Sequence, residues 1–152
     1  MLQGFEELDC WKACRRLRMH IVFAVAPQLP DEERFRLADQ MVRAARSATA
    51  NLAEGYGRDY ALENVKFCSQ ARGSCQEVLD HLITAYDEQM IPEDVLQESR
   101  ELAVNAMRLI AGYMRYLKNA RHSGELHEPS ASYGCPVATY STTSNRQLTT
   151  NN

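Results

Sequence analysis

Apolar side chains recur at helical spacing in four stretches of this chain, with polar or helix-breaking residues between them. Cys10, Cys14, Leu17, Ile21 and Ala24 follow one another at steps of four, three, four and three. That spacing lays an apolar stripe along a helix from about Phe5 to Val25. Pro27 and Pro30 end it. Pro30 followed by Asp31, Glu32 and Glu33 is a start signal, because proline fits a first helical turn and acids suit the positive end of the dipole. The second helix continues to Gly55 and Gly57, where glycines supply the stop. Asp59 is positioned to cap a third helix over about 60–89, with Leu62, Val65, Phe67, Ala71, Val78, Leu79, Leu82 and Ala85 on a wide apolar face. Ile91-Pro92-Glu93-Asp94 repeats the proline-then-acid start. The fourth helix carries Val95, Leu102, Ala106, Leu109, Ile110, Tyr113 and Leu117. It ends near residue 121, with Arg115, Lys118 and Arg121 at the negative end of its dipole. No strand-like alternation interrupts this pattern.

Helices this long, joined by connections this short, predict an all-α fold, an antiparallel up-down-up-down four-helix bundle over residues 1–122. From residue 123 onward Ser, Thr, Asn and Gly dominate. Such a segment buries too little apolar surface to offset its ordering entropy, so 123–152 are expected to form a disordered tail.

One stretch of the second helix departs from simple amphipathicity. Arg43, Ser47, Asn51, Glu54 and Arg58 fall within an arc of roughly 80°, and alanines at 44, 45, 48, 50 and 53 line the rest of the helix. Gln70, Ser74, Glu77 and His81 make a matching stripe on the third helix, within roughly 60°. If the stripes face one another, Arg43, Arg58 or Arg72 can pair with Glu54 and Glu77 while Asn51 and Ser74 bridge. The plain reading is a structural network that fixes helix register or a subunit contact. The sharper one is a recognition site for RNA or a partner protein. On the network reading, Asn51→Leu costs a few kcal/mol by stranding buried polar neighbours.

Composition changes this picture little. The chain has 152 residues, 45% apolar and 24% charged, and a net charge of −3, which suits one globular domain. Eleven basic residues face ten acidic ones over 1–76, five face ten over 77–128, and one faces none over 129–152. A protein built to grip phosphate backbones non-specifically shows a basic excess, and this chain does not. Lys12, Arg15, Arg16 and Arg18 nevertheless crowd one segment and make a candidate nucleic-acid patch. A solvated helix surface is the plainer account of them. The cysteines (10, 14, 68, 75 and 135) are odd in number, no secretory signal or membrane-length apolar run is recognised, and a reducing cytoplasm is expected.

Several motifs together carry a family resemblance. They are Phe5-x-x-Leu8-x-x-Trp11, Leu29-Pro30-x-Glu32-Glu33-Arg34-Phe35-x-Leu37-x-x-Gln40-x-x-Arg43-Ala44, Ser47-x-x-x-Asn51-Leu52-Ala53-Glu54-Gly55-Tyr56-Gly57-Arg58, and Phe67-x-x-x-Ala71-Arg72-Gly73-Ser74-x-x-Glu77. In this order they resemble the bacterial four-helix bundle proteins first noticed as reading frames inside intervening sequences of 23S ribosomal RNA genes. The resemblance spans residues 5 to about 90, and loosely the fourth helix. It implies a small cytosolic protein that assembles five bundles into a closed ring, with no enzymatic activity. It also implies distant kinship to the accessory protein of diversity-generating retroelements, which binds a reverse transcriptase and nucleic acid. Two positions depart from the family. The proline usual between the positions of Ser47 and Asn51 is replaced by Ala48-Thr49-Ala50, so the second helix is expected to be less kinked. Cys14 stands where a smaller residue is usual.

Other candidate chemistries are weaker. Di-metal bundles use Glu-x-x-His pairs plus further glutamates, whereas this chain offers Glu77 and His81 at i+4, with Glu54 as a third ligand at most. His20 and His122 are isolated. Cys10 and Cys14 lie one turn apart and Cys68 and Cys75 two turns apart, which reads as buried small hydrophobes, not a zinc site. Gly55-Tyr56-Gly57-Arg58 follows no strand and lacks the phosphate-loop lysine. Trp11 with Phe5 and Leu8 reads as intra-bundle packing, with an oligomer contact as the alternative. The expectation is a non-enzymatic homo-oligomer without metal or cofactor, with no membrane span. Its subunit contacts are expected on the small-residue and polar faces of the middle helices. Binding to RNA or to a nucleic-acid-associated protein is the alternative function.

Overall fold

The structure is a computed structural model that describes residues 4–122; the expected tail and Cys135 lie outside the described residues. Four α-helices form where the apolar periodicity places them: α1 (Asp9–His20), α2 (Leu37–Tyr56), α3 (Ala61–Asp87) and α4 (Glu93–His122). No strand occurs among the described residues.

The ends differ from expectation for local reasons. Residues 5–25 are not one α-helix. A 3-10 turn over Phe5–Glu7 is separated from α1 by Leu8, which is extended (φ −63°, ψ 125°). After His20 the ladder widens into a π-turn over Ile21–Val25, and a 3-10 turn over Ala26–Gln28 holds Pro27, which has no N–H to continue the helix. The Pro30 start signal also fails to open α2. Asp31–Glu33 makes a 3-10 turn, Arg36 leaves the helical region (φ −121°, ψ −106°), and α2 begins at Leu37. Glu33 serves as its cap from a distance: the Leu37 N–H donates to Glu33 Oε2 at 3.2 Å. The residue that caps α3 is not Asp59 but Tyr60, which is extended before Ala61 and makes no capping bond with its own side chain. At the other end of α3, Gln89 takes a left-handed conformation (φ 59°) while the Met90 N–H donates to Ala85 O at 2.8 Å, closing the helix. α2 stays α-helical through Ala48-Thr49-Ala50.

Contacts fix the relative directions. Ser47 of α2 bonds Ser74 of α3, while Gly55, eight residues on, lies against Asn64 and Phe67, so these helices run antiparallel. His20 of α1 meets Ser99 of α4, and Cys10 shares a groove with Leu109 and Tyr113, so this pair is antiparallel too. α1 packs on α2 and α4, and α3 packs on the same two, which is compatible with up-down-up-down order. One core runs through the bundle, with Leu17, Ile21, Met41, Leu52, Leu82 and Ile110 fully buried. Each such side chain contributes roughly 1.5–3 kcal/mol. Ala44, Ala45 and Ala48 are part of that core. These three alanines are therefore used inside the bundle and are not available as a subunit contact, whereas Ala50 is exposed and Ala53 half-buried.

Candidate functional site

The two polar stripes do meet, but only in part. The Ser74 hydroxyl donates to Gln70 O at 3.1 Å. With its one proton so placed, Ser74 Oγ accepts from the Ser47 hydroxyl at 2.9 Å. Asn51 Nδ2 in turn donates to Ser47 Oγ at 3.1 Å and Ser47 O at 2.9 Å. The result is a one-way chain of hydrogen bonds from Asn51 through Ser47 and Ser74 to the α3 backbone. It ties α2 to α3 at a fixed register. None of its members is bonded to a base, so neither hydroxyl is activated.

The remaining stripe residues separate. Glu54 in the last turn of α2 forms an ion pair with Arg58 just beyond it, and the Arg58 guanidinium lies over the Phe67 ring at 4.9 Å. Arg43 is exposed and pairs with Asp39 at 3.7 Å on its own helix. Glu77 faces His81 at 3.6 Å. Arg72 is exposed and lies roughly 160° around α3 from Ser74, so it cannot join the seam. The expected bridges from Arg43, Arg58 or Arg72 to Glu77 do not form, because each cation finds a nearer partner or points away. Glu54 is likewise remote from Glu77 and His81. Among the described residues, no three His, Cys, Asp or Glu side chains converge on a point that suits a metal ion.

This arrangement lowers the expected cost of altering Asn51. Its amide is half-buried and bonds only within α2, and the Ser47–Ser74 bond survives without it. Asn51→Leu is therefore expected to cost about 1 kcal/mol in the isolated bundle, not several. Denaturant unfolding of the two proteins measures this directly.

The basic cluster on α1 is divided by the fold. Arg18 is half-buried and donates to Thr49 Oγ1 on α2 at 2.8 Å. Lys12 pairs with Asp9 at 3.9 Å. Only Arg15 and Arg16 keep exposed guanidiniums with no such engagement shown. Two polar contacts were invisible to spacing rules. His20 Nε2 donates to Ser99 Oγ at 2.9 Å, with Glu98 3.9 Å from Nδ1. That order mimics a hydrolytic triad, but Ser99 is fully buried and its proton goes to Val95 O at 2.6 Å, so the group fastens α1 to α4. Asn64 Nδ2 donates to the Tyr113 hydroxyl at 3.1 Å, and the Cys68 thiol donates to Asn64 Oδ1 at 3.4 Å, linking α3 to α4.

The described cysteines are all buried and free. Cys14 Sγ and Cys75 Sγ approach to 3.8 Å between α1 and α3. Burial pushes the Cys10 thiol up to about 11 and the Cys68 thiol up to about 12. The Cys14 thiol is raised by its bond to Cys75 and then by burial. Trp11 is half-buried, packed edge-on against Phe5 with centroids 5.3 Å apart.

The outer surface is where the monomer departs most from a self-sufficient bundle. Phe35 is 83% exposed, Phe23 69% and Tyr116 61%. Phe35 stands between Arg34 and Arg36 in the turn before α2, with the Arg34 guanidinium 5.5 Å from its ring. Tyr116 stacks on Tyr113 at 6.3 Å beside a groove of about 380 Å³ between the start of α1 and the second half of α4. Leu8, Cys10, Leu109, Gly112 and the two tyrosines line it, together with Glu7 and Asp9. An aromatic residue in an otherwise charged turn was the available signal for Phe35, and helical periodicity passes over it.

The profile of a family described as 23S rRNA-intervening sequence protein matches residues 6–112. No curated protein matches the chain. No described helix is long and apolar enough to cross a membrane.

Proposed function

The chain belongs to the 23S rRNA-intervening sequence protein family, and from that premise we propose that it is a non-enzymatic homo-oligomer, a closed ring of four-helix bundles that serves as an interaction scaffold in the cytoplasm. A ring of five is the expected size from the resemblance. The observation that carries this reading is the exposure of Phe35, Phe23 and Tyr116 on a bundle whose core is otherwise closed. Large apolar side chains left in water mark surfaces that a partner covers. The polar seam supports the same reading, since its two hydroxyls are spent on joining α2 to α3 and its amide on Ser47. Native mass spectrometry of the untagged protein tests it: a single closed oligomer is expected, and a monomer at micromolar concentration overturns the proposal.

A second reading, nucleic-acid binding as an accessory to ribosomal RNA or a reverse transcriptase, is favoured by Arg15 and Arg16. Both are exposed on α1, and a ring displays them once per copy. Binding of a structured RNA should then weaken steeply with salt and fall when both arginines are replaced by alanine. Salt-independent or absent binding removes this reading and leaves the scaffold.

A further inference from the structure

We propose that Phe35, presented between Arg34 and Arg36, seats in the Leu8–Cys10–Leu109–Gly112–Tyr113–Tyr116 groove of a second copy of this chain. The inference rests on the oligomer reading and assigns its contact. Phe35 is the most exposed of the large apolar side chains. The groove is an open cleft of about 380 Å³ lined by apolar side chains of α1 and α4, large enough for an aromatic ring. Opposite charges border the two halves: the Arg34 guanidinium lies over the ring, Arg36 follows it, exposed and in contact with Glu33, and the groove is lined by the carboxylates of Glu7 and of Asp9, the latter in an exposed contact with Lys12. Complementary charge of this kind sets orientation and disfavours wrong partners.

Geometry makes the contact intermolecular. Phe35 precedes the first residue of α2. The groove lies level with the other end of that helix, because Gly55 touches Asn64 and Asn64 bonds Tyr113 in the groove wall. Twenty residues of α-helix span roughly 30 Å, so a chain cannot reach its own groove with its own Phe35. Knob and groove are different surfaces of one molecule. Their pairing is head-to-tail, which closes into a ring when the rotation between copies permits.

The test uses two variants that remove one half each. Phe35→Ser deletes the knob at an exposed position. Gly112→Leu fills the groove at a helical position where an added Cβ meets nothing within 4 Å. Far-UV circular dichroism checks that both remain helical, and sedimentation velocity reads the assembly. Each variant alone is expected to self-associate roughly 30-fold more weakly or not at all. Mixed one to one, they are expected to form a heterodimer and nothing larger, since the mixture holds one competent knob and one competent groove per pair. If either variant assembles as the parent does, the proposal is wrong while the oligomer reading stands. The same holds if the mixture stays monomeric beside an assembled parent, or if only Gly112→Leu dissociates, which would put a different segment in the groove. A monomeric parent would sink both.

Discussion

The folded protein is expected to lose on the order of 5 kcal/mol of stability between pH 9 and pH 11. The cause is the thiols in the core. Cys10 and Cys68 start from an ordinary value of 9.0 and are held at about 11 and about 12 by burial. An unfolded chain releases their protons from about pH 9 upward, whereas the folded chain keeps them, so the unfolded state gains. Each thiol then costs roughly 1.4 kcal/mol per pH unit over that window. Below pH 9 the contribution is fully present, and it is lost as the pH climbs through the folded-state values. Cys14, raised in the same direction by Cys75 and by burial, steepens the fall. Tyr113, pushed up to about 12 chiefly by burial, extends it beyond pH 10. Denaturant unfolding in reductant at several pH values measures the slope. Cys68→Ala should lower stability near neutrality yet flatten the alkaline decline by about one thiol's share. An unchanged slope in that variant would place the alkaline loss elsewhere.

The second large effect concerns two glycines that behave oppositely. A Cβ built on Gly55 lies 2.8 Å from Asn64 Oδ1 and 2.8 Å from the Phe67 Cβ. Neither is the free end of a flexible chain. Phe67 Cβ is anchored to α3, and Asn64 is held by Tyr113 and Cys68. Gly55→Ala therefore has to push α2 from α3 or break the Asn64 bonds, at roughly 2–3 kcal/mol net of the better helix propensity of alanine. Gly73, on the outer face of α3, has nothing within 4 Å of its added Cβ. Gly73→Ala should stabilise the bundle by about 1 kcal/mol. Measured side by side by thermal unfolding, the two single-methyl changes should move the midpoint in opposite directions. The same sign for both would mean that α2 and α3 are not held at the spacing described.

Gly55 shows where reading the chain as a string reaches its limit. As part of Gly55-Tyr56-Gly57 it looks like a helix stop. In the fold Gly57 closes α2, and Gly55, two residues earlier, is buried in close approach to α3. The polar stripes show the same limit. Spacing alone put Ser47, Asn51 and Ser74 on facing sides of their helices, and the structure joins them. Spacing could not choose partners for the long charged side chains. Arg58 took Glu54 and the Phe67 ring, Arg43 took Asp39, Arg18 turned inward to Thr49, and Arg72 lies on another side of α3.

Helix number, helix type, the buried stripes and family membership were all legible along the chain. Apolar periodicity, proline and glycine act over a few residues, within the range that local order exposes. The break at Arg36, the widened turn after His20 and the capping of α2 by Glu33 depend on how the first two helices must turn to share one core. The pairing of His20 with Ser99 and the seat of Tyr113 on Asn64 join residues 79 and 49 positions apart. Such contacts are set by which helix faces meet. That choice belongs to the packed bundle, where burial makes an unpaired polar group costly and forces each one to find its partner.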